Sequence, residues 1–307
     1  MISETYSLWE DREDVKLTTF LHAVPPVPEM QKKRPAILVI PGGAYIDCLR
    51  NGGEADTIAY SFAIDGFQTF ILQYSVKTTA PEGKTLFPAQ LLDYGKAILF
   101  IRAHAEEWCV DVGKISIIGF SAGGHLCAMA GTTWHTDLLS GYFHEDAKVF
   151  KPLCVMSIYG VLDYENWWET RTSEEDYFTY VFGSRNPDRE LLRQYSPVNL
   201  VTENTPPFFL AAARDDTLVP AIETLNMAFA LHKAGIPYEL YMCEYGDHAF
   251  SLGRDVFEPW ALEKEHACAA WVPLVKKFLM HQINPTTAEG EKELWKKLTA
   301  LMPPAGT

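Results

Sequence analysis

Two spacings of apolar residues divide the chain. Short, nearly unbroken apolar runs recur along it: VKLTTFLHA, AILVI (36–40), FQTFILQYSV (67–76), KISIIGF (114–120), LCVMSIYG (153–160), PFFLAAA (207–213) and YELYMCEY (238–245). These seven runs are of strand length and rich in β-branched and aromatic residues, so each predicts a buried strand. Between them lie longer segments with apolar residues at helical spacing, such as PAQLLDYGKAILFIRAHAEEW and IETLNMAFALHKAG. The second of these ends on a glycine suited to a helix C-cap. Strands alternating with helices predict an α/β fold, a mostly parallel sheet covered on both faces. The first run is less continuous and predicts an antiparallel edge strand.

One stretch breaks this rhythm. Residues 161–206, VLDYENWWETRTSEEDYFTYVFGSRNPDRELLRQYSPVNLVTENTP, are acidic, aromatic and too long for a plain connection. Insertions of this kind often cover active sites, so a small cap is expected here. Residues 1–284 therefore read as a single domain with a cap-like insertion. Residues 285–307 read as a C-terminal extension with a short amphipathic helix.

The 307 residues are 48% hydrophobic, enough for one sizeable core. A net charge of -14 repels phosphate backbones and anionic lipid, which argues against nucleic acid or a membrane surface as partner. The N-terminus has no basic and apolar leader pattern, and no run approaches the roughly 18 apolar residues of a membrane span. The six cysteines are scattered, without a CxxC pair, and read as buried thiols of a reducing compartment. A cytoplasmic protein acting on a small molecule is the expectation, with self-association left open.

The chemistry begins at GFSAGGH, directly after ISII. In Gly119-Phe120-Ser121-Ala122-Gly123 a serine stands at a strand-to-helix turn, flanked by residues small enough for a strained apex. Such a turn lifts Oγ clear of the sheet and turns the Ala122 N–H toward the same space. A serine needs a base to become a nucleophile near neutral pH. His248, in YGDHAF after the last predicted strand, is the better candidate. The rival His125 lies inside the helix that follows the serine, which would carry its ring away. The acid that orients the base should lie at the carboxyl edge of the sheet, where Asp215, Asp216 and Asp163 are all available. The turn PGGAY after the strand AILVI offers the N–H groups of Gly43 and Ala44 to a developing oxyanion. The order serine, acid, histidine is that of the α/β-hydrolases.

The chain resembles the esterase/lipase superfamily of α/β-hydrolases. It looks most like small carbohydrate esterases of the acetyl-xylan-esterase-like or feruloyl-esterase-like kind. The resemblance rests on VIPGGAY, on FPAQLLDYGKAILFIR through IIGFSAGGHLCA, on YSPVNLVTENTPPFFLAAARDDTLVP and on YGDHAF, so it covers most of residues 35–255. The family's D-x-x-V-P pattern falls on Asp216 and its G-x-H-x-F pattern on His248. The resemblance implies a Ser121-Asp216-His248 triad, an oxyanion hole of Gly43, Ala44 and Ala122, and no metal or organic cofactor. Proline opens the oxyanion loop where one branch has histidine, and Ala44 replaces a third glycine. The expected reaction is hydrolysis of short-chain acyl esters of a carbohydrate or oligosaccharide, with Tyr45, Trp167 and Trp168 as substrate contacts. The alternatives are a peptidase of the same fold, with Glu174 and Glu175 as amine acceptors, and a non-catalytic ligand-binding relative.

Overall fold

Central strands need apolar residues on both faces, and β3 (Arg34–Ile40), β5 (Val110–Phe120), β6 (Val155–Ile158) and β7 (Phe208–Ala213) bury nearly every side chain of their apolar runs. The computed structural model describes residues 1–25, 27, 31–48, 53–170, 177–253 and 268–285. Its eight strands form one sheet, in the order β1-β2-β4-β3-β5-β6-β7-β8. Here β1 is Thr5–Trp9, β2 Arg12–Phe20, β4 Gln68–Gln73 and β8 Tyr238–Cys243. From β4 to β8 the pairing is parallel; β1 and β2 are antiparallel additions beside β4.

The first predicted run is β2, and it is antiparallel, but it is not the edge. A further strand, β1, covers it. That strand has only five residues in an acidic stretch, too short an alternation to stand out in the sequence. The opposite edge is β8, whose side chains are mostly exposed or half-buried.

Helices cover both faces. Against one lie α2 (Ala89–Ala103), α3 (Ala122–Thr133) and α8 (Ala221–Lys233), which contribute Leu91, Tyr94, Ile98, Leu126 and Met227 to one core. Against the other lie α1 (Asp56–Ala63) and α9 (Trp271–Ile283), with Ile58, Phe62, Trp271 and Phe278 in a second core. All twelve residues of α3 are buried, so the helix behind the candidate serine is held on every side. Helix α8 is followed by Gly235 at φ +72°, whose N–H donates to the His232 carbonyl at the C-terminal end of the helix. A short helix α4 (Asp137–Phe143) follows α3.

Within residues 161–206 the chain forms α5 (Tyr164–Thr170), α6 (Tyr177–Phe182) and α7 (Arg189–Gln194). Their buried faces, including Tyr164, Trp167, Phe178, Val181 and Leu192, join the first core. Residues 286–307 of the expected C-terminal extension lie outside the described residues, as do Glu174 and Glu175. No helix of the described residues is long and apolar enough to cross a membrane.

Candidate active site

Ser121 sits between β5 and α3 at φ 50° and ψ -118°, a conformation that L residues rarely hold and that costs about 1–3 kcal/mol. Two glycines make the turn feasible. A Cβ at Gly119 would run into the Gly123 backbone, and one at Gly123 would run into the carbonyls of Ile40 and Pro41 at the end of β3. The turn is secured by the Ser121 N–H donating to the Ile158 carbonyl and the His125 N–H donating to the Ser121 carbonyl, both at 3.0 Å.

The loops after β5, β7 and β8 converge at this carboxyl edge. His248 Nε2 lies 2.8 Å from Ser121 Oγ, and His248 Nδ1 lies 2.8 Å from Asp216 Oδ2. The other oxygen of Asp216 accepts the N–H groups of Leu218 (2.9 Å) and Val219 (2.8 Å), so the fully buried carboxylate cannot swing. Asp215 turns elsewhere, accepting the N–H groups of Gly246 and Asp247 in the His248 loop. Asp163 accepts from Asn226 and from the Asn166 N–H. Of the three acids open in the sequence, only Asp216 meets His248.

His125 is placed far differently from His248. One ring nitrogen, Nδ1, lies 2.6 Å from the Tyr45 hydroxyl, and Nε2 lies 2.9 Å from the Tyr195 carbonyl. A carbonyl can only accept, so Nε2 carries the proton and Nδ1 accepts from the tyrosine. Burial pushes the imidazole down to about 4 and pushes the Tyr45 phenol up, which keeps both neutral in these roles.

The loop after β3 carries the candidate oxyanion donors. Ala44 lines the same cavity as Ser121 and Ala122. The N–H groups of Ala44 and Ala122 have no protein acceptor among the described residues. Gly43, at φ +128°, forms the turn itself: its carbonyl accepts from Ile46 and Asp47, and it does not line the cavity.

Sequence reasoning missed the group beneath this loop. Glu54, 7% exposed, accepts the Gly42 N–H and the Tyr159 hydroxyl, each at 2.8 Å. Tyr159 in turn accepts the Ser251 N–H at 3.1 Å, and its ring centre lies 5.0 Å from that of His248. One buried carboxylate thus ties the loop after β3 to the loop that carries His248. In the sequence Glu54 is an acid just before a helix, a position that macrodipole attraction alone would explain. Only the fold brings it to Gly42.

The cavity at Ser121 is small, about 20 Å³, and mostly apolar in its lining. Its walls are Val161, Tyr164, Trp167, Tyr177, Val181, Leu218 and Val219, with Tyr45 completing them. Tyr45 contributes its ring, since its hydroxyl is committed to His125. Trp167 contributes an edge: Tyr177 stacks on it at 5.6 Å and its Nε1–H donates to the Leu218 carbonyl. Trp168 is not part of the lining and packs edge-on against Phe178 at 5.0 Å.

Residues 25–231 match the BD-FAE family, a span that includes Ser121 and Asp216 and stops short of His248. The chain belongs to the BD-FAE family. Among curated relatives it is 32% identical to endo-1,4-beta-xylanase B of Butyrivibrio fibrisolvens, over 73% of this chain and 34% of that protein. It is 28% identical to the acetylxylan esterase of Xylanibacter ruminicola, over 71% of this chain and 41% of that one. The chain thus spans well under half the length of these two curated relatives. Among solved structures, an acetyl ester-xyloside bifunctional hydrolase from Caldicellulosiruptor lactoaceticus superposes with a TM-score of 0.68 at 27% identity, covering 89% of this chain and 96% of that one. This BD-FAE member has the α/β-hydrolase fold.

Proposed function

We propose that this BD-FAE protein is a carboxylic ester hydrolase that removes acetyl groups from a carbohydrate through an acyl-enzyme on Ser121. The observation that carries the reading is the hydrogen-bonded chain Asp216–His248–Ser121 opening onto a small, mostly apolar cavity. Ser121 Oγ attacks the acyl carbon as His248 Nε2 takes its proton, and Asp216 holds the ring in the tautomer that leaves Nε2 free to accept. The Ala44 and Ala122 N–H groups receive the charge that forms on the carbonyl oxygen. His248 then protonates the leaving alcohol and later draws a proton from the water that frees the enzyme.

Cavity size supports acetate over larger acids. The walls, with Trp167 and Tyr177 among them, favour a short acyl group over a long one. In this reading residues 161–206 are a cap whose aromatics build the acyl pocket. Tyr177 covers one face of Trp167 and the residue is 6% exposed, which favours a role in the pocket wall over stacking on sugar. The carbohydrate alcohol is supported by the names of the relatives, two of which concern acetylated or xylose-based substrates.

The test is hydrolysis of p-nitrophenyl acetate, butyrate and octanoate beside acetylated xylo-oligosaccharides. Turnover should fall steeply from acetate to octanoate, and Ser121→Ala should lower kcat by about 10⁶ and abolish labelling by a fluorophosphonate. Octanoate preferred over acetate would overturn the acetyl reading. Activity of Ser121→Ala within tenfold of the parent would overturn the hydrolase mechanism.

A further inference from the structure

Cys243 ends β8, and Cys268 lies 25 residues later, three residues before α9 begins. Their sulfurs are 3.1 Å apart, and the two residues are 3% and 0% exposed. All six cysteines are thiols. A buried thiol by itself packs as a small hydrophobe, but two buried sulfur to sulfur are positioned to react with one another. The fold makes space for both. A Cβ at Gly246 would overlap Cys268 Sγ and stand 3.5 Å from Cys243 Sγ, so the loop leading to His248 is pared to backbone where it passes over the pair. Each thiol also meets a backbone carbonyl: Cys268 Sγ–H donates to Tyr245 at 3.2 Å and Cys243 Sγ–H to Ala212 at 3.6 Å.

We propose that Cys243 and Cys268 are a peroxide-oxidisable dithiol, a modification site whose disulfide ties the end of β8 to the start of α9 across the His248 loop. When Cys243 ionises, the Cys268 S–H turns from the Tyr245 carbonyl to the thiolate 3.1 Å away, and that hydrogen bond lowers the Cys243 thiol below its ordinary range against the opposing effect of burial, which makes Cys243 the attacking sulfur. Its thiolate attacks one oxygen of hydrogen peroxide. An S–O bond forms, the O–O bond breaks, and the departing hydroxide takes up the proton that Cys243 gave up, leaving as water. Cys268 sulfur then attacks the sulfenic sulfur; the S–S bond forms, the S–O bond breaks, and hydroxide leaves with the Cys268 proton as a second water. Each sulfur loses one electron and the two peroxide oxygens gain them. Burial sets the class of oxidant: a water-sized neutral peroxide reaches these sulfurs, and glutathione disulfide does not.

The disulfide closes a covalent loop that contains His248, which restricts the unfolded chain and raises Tm by about 5 °C. The test treats the full chain with a small excess of hydrogen peroxide, counts thiols in denaturant and maps peptides without reduction. The expected result is a loss of two thiols from the six, a peptide joining Cys243 to Cys268, and a higher Tm that a reductant reverses. Cys268→Ser should leave a sulfenic acid on Cys243 that a dimedone probe captures. Survival of all six thiols, a link that uses another cysteine, oxidation of Cys243 to sulfinic acid without a link, or equal yield of the link from glutathione disulfide would overturn the proposal.

Discussion

Acid should weaken this protein through His125 before it reaches the carboxylates. In the folded chain the imidazole is fully buried, its Nδ1 accepts from the Tyr45 hydroxyl and its Nε2–H donates to the Tyr195 carbonyl, so a second proton on the ring would put a charge in the core and force the hydroxyl to turn from donor to acceptor. Burial lowers its pKa to about 4, whereas the unfolded chain holds it near 6.5. Below pH 6.5 the unfolded state therefore binds a proton that the folded state refuses. The contribution of His125 is fully present above pH 6.5 and is lost as the pH falls toward 4. Integrated to pH 4.5, the loss is about 2.5 kcal/mol, a large share of the roughly 5–15 kcal/mol that holds a typical domain folded. Urea unfolding of the parent and of His125→Gln, at intervals from pH 7.5 to 4.5, measures it. Glutamine keeps a donor and an acceptor but does not titrate, so the difference between the two curves isolates the imidazole. The variant should start less stable at pH 7.5 and lose about 2.5 kcal/mol less than the parent on the way down. Parallel curves would refute the reasoning.

Three further outcomes follow from the site. Glu54→Ala leaves the Gly42 N–H and the Tyr159 hydroxyl without their acceptor, so kcat on p-nitrophenyl acetate should fall about 10²-fold with KM nearly unchanged, and Glu54→Gln should recover most of it; a rise in KM at constant kcat would contradict a positioning role. Trp167→Ala should cost about 3–5 kcal/mol in urea unfolding and raise the butyrate-to-acetate ratio of kcat/KM, because it removes one wall of the cavity; an unchanged ratio would remove Trp167 from the acyl pocket. Asp216→Asn should lower kcat by about 10⁴, while Asp215→Asn, whose amide oxygen can still accept from Gly246 and Asp247, should be mild; the reverse ranking would reassign the acid.

The central strands were legible because burial on both faces leaves no polar interruption, as AILVI and FFLAAA show. The serine turn was legible for a steric reason: Gly119 and Gly123 are needed where backbone meets backbone, and few other sequences satisfy that contact. Strand β1 was not, since five residues at an edge carry little hydrophobic signal. Nor was Glu54, because its partners are backbone N–H and a tyrosine 105 residues away, and neither leaves a spacing pattern. The choice among Asp163, Asp215 and Asp216 stayed open on position alone, and neighbouring positions 215 and 216 prove to take different partners in one loop, Asp215 its backbone N–H groups and Asp216 the imidazole of His248. The aromatics of residues 161–206 read equally well as sugar contacts or as packing, because no spacing in the sequence shows that Tyr177 stacks on Trp167.

The contact of Gly123 with the carbonyls of Ile40 and Pro41 separates two properties that enzymes often entangle. Main chain rests on main chain there, so the gap between the serine turn and the loop with Ala44 is set without any intervening side chain. The cavity walls come from elsewhere, chiefly from Val161 to Val181 and from Leu218 and Val219. Reactivity and selectivity are thus inherited largely on different stretches of chain, with the turn from Asp216 to Val219 shared between them. A lineage, or a protein engineer, can exchange the walls to admit a new acid while the reacting centre keeps its dimensions. The reverse exchange is closed: a single methyl group at position 123 meets carbonyl oxygens that no repacking of side chains can move aside.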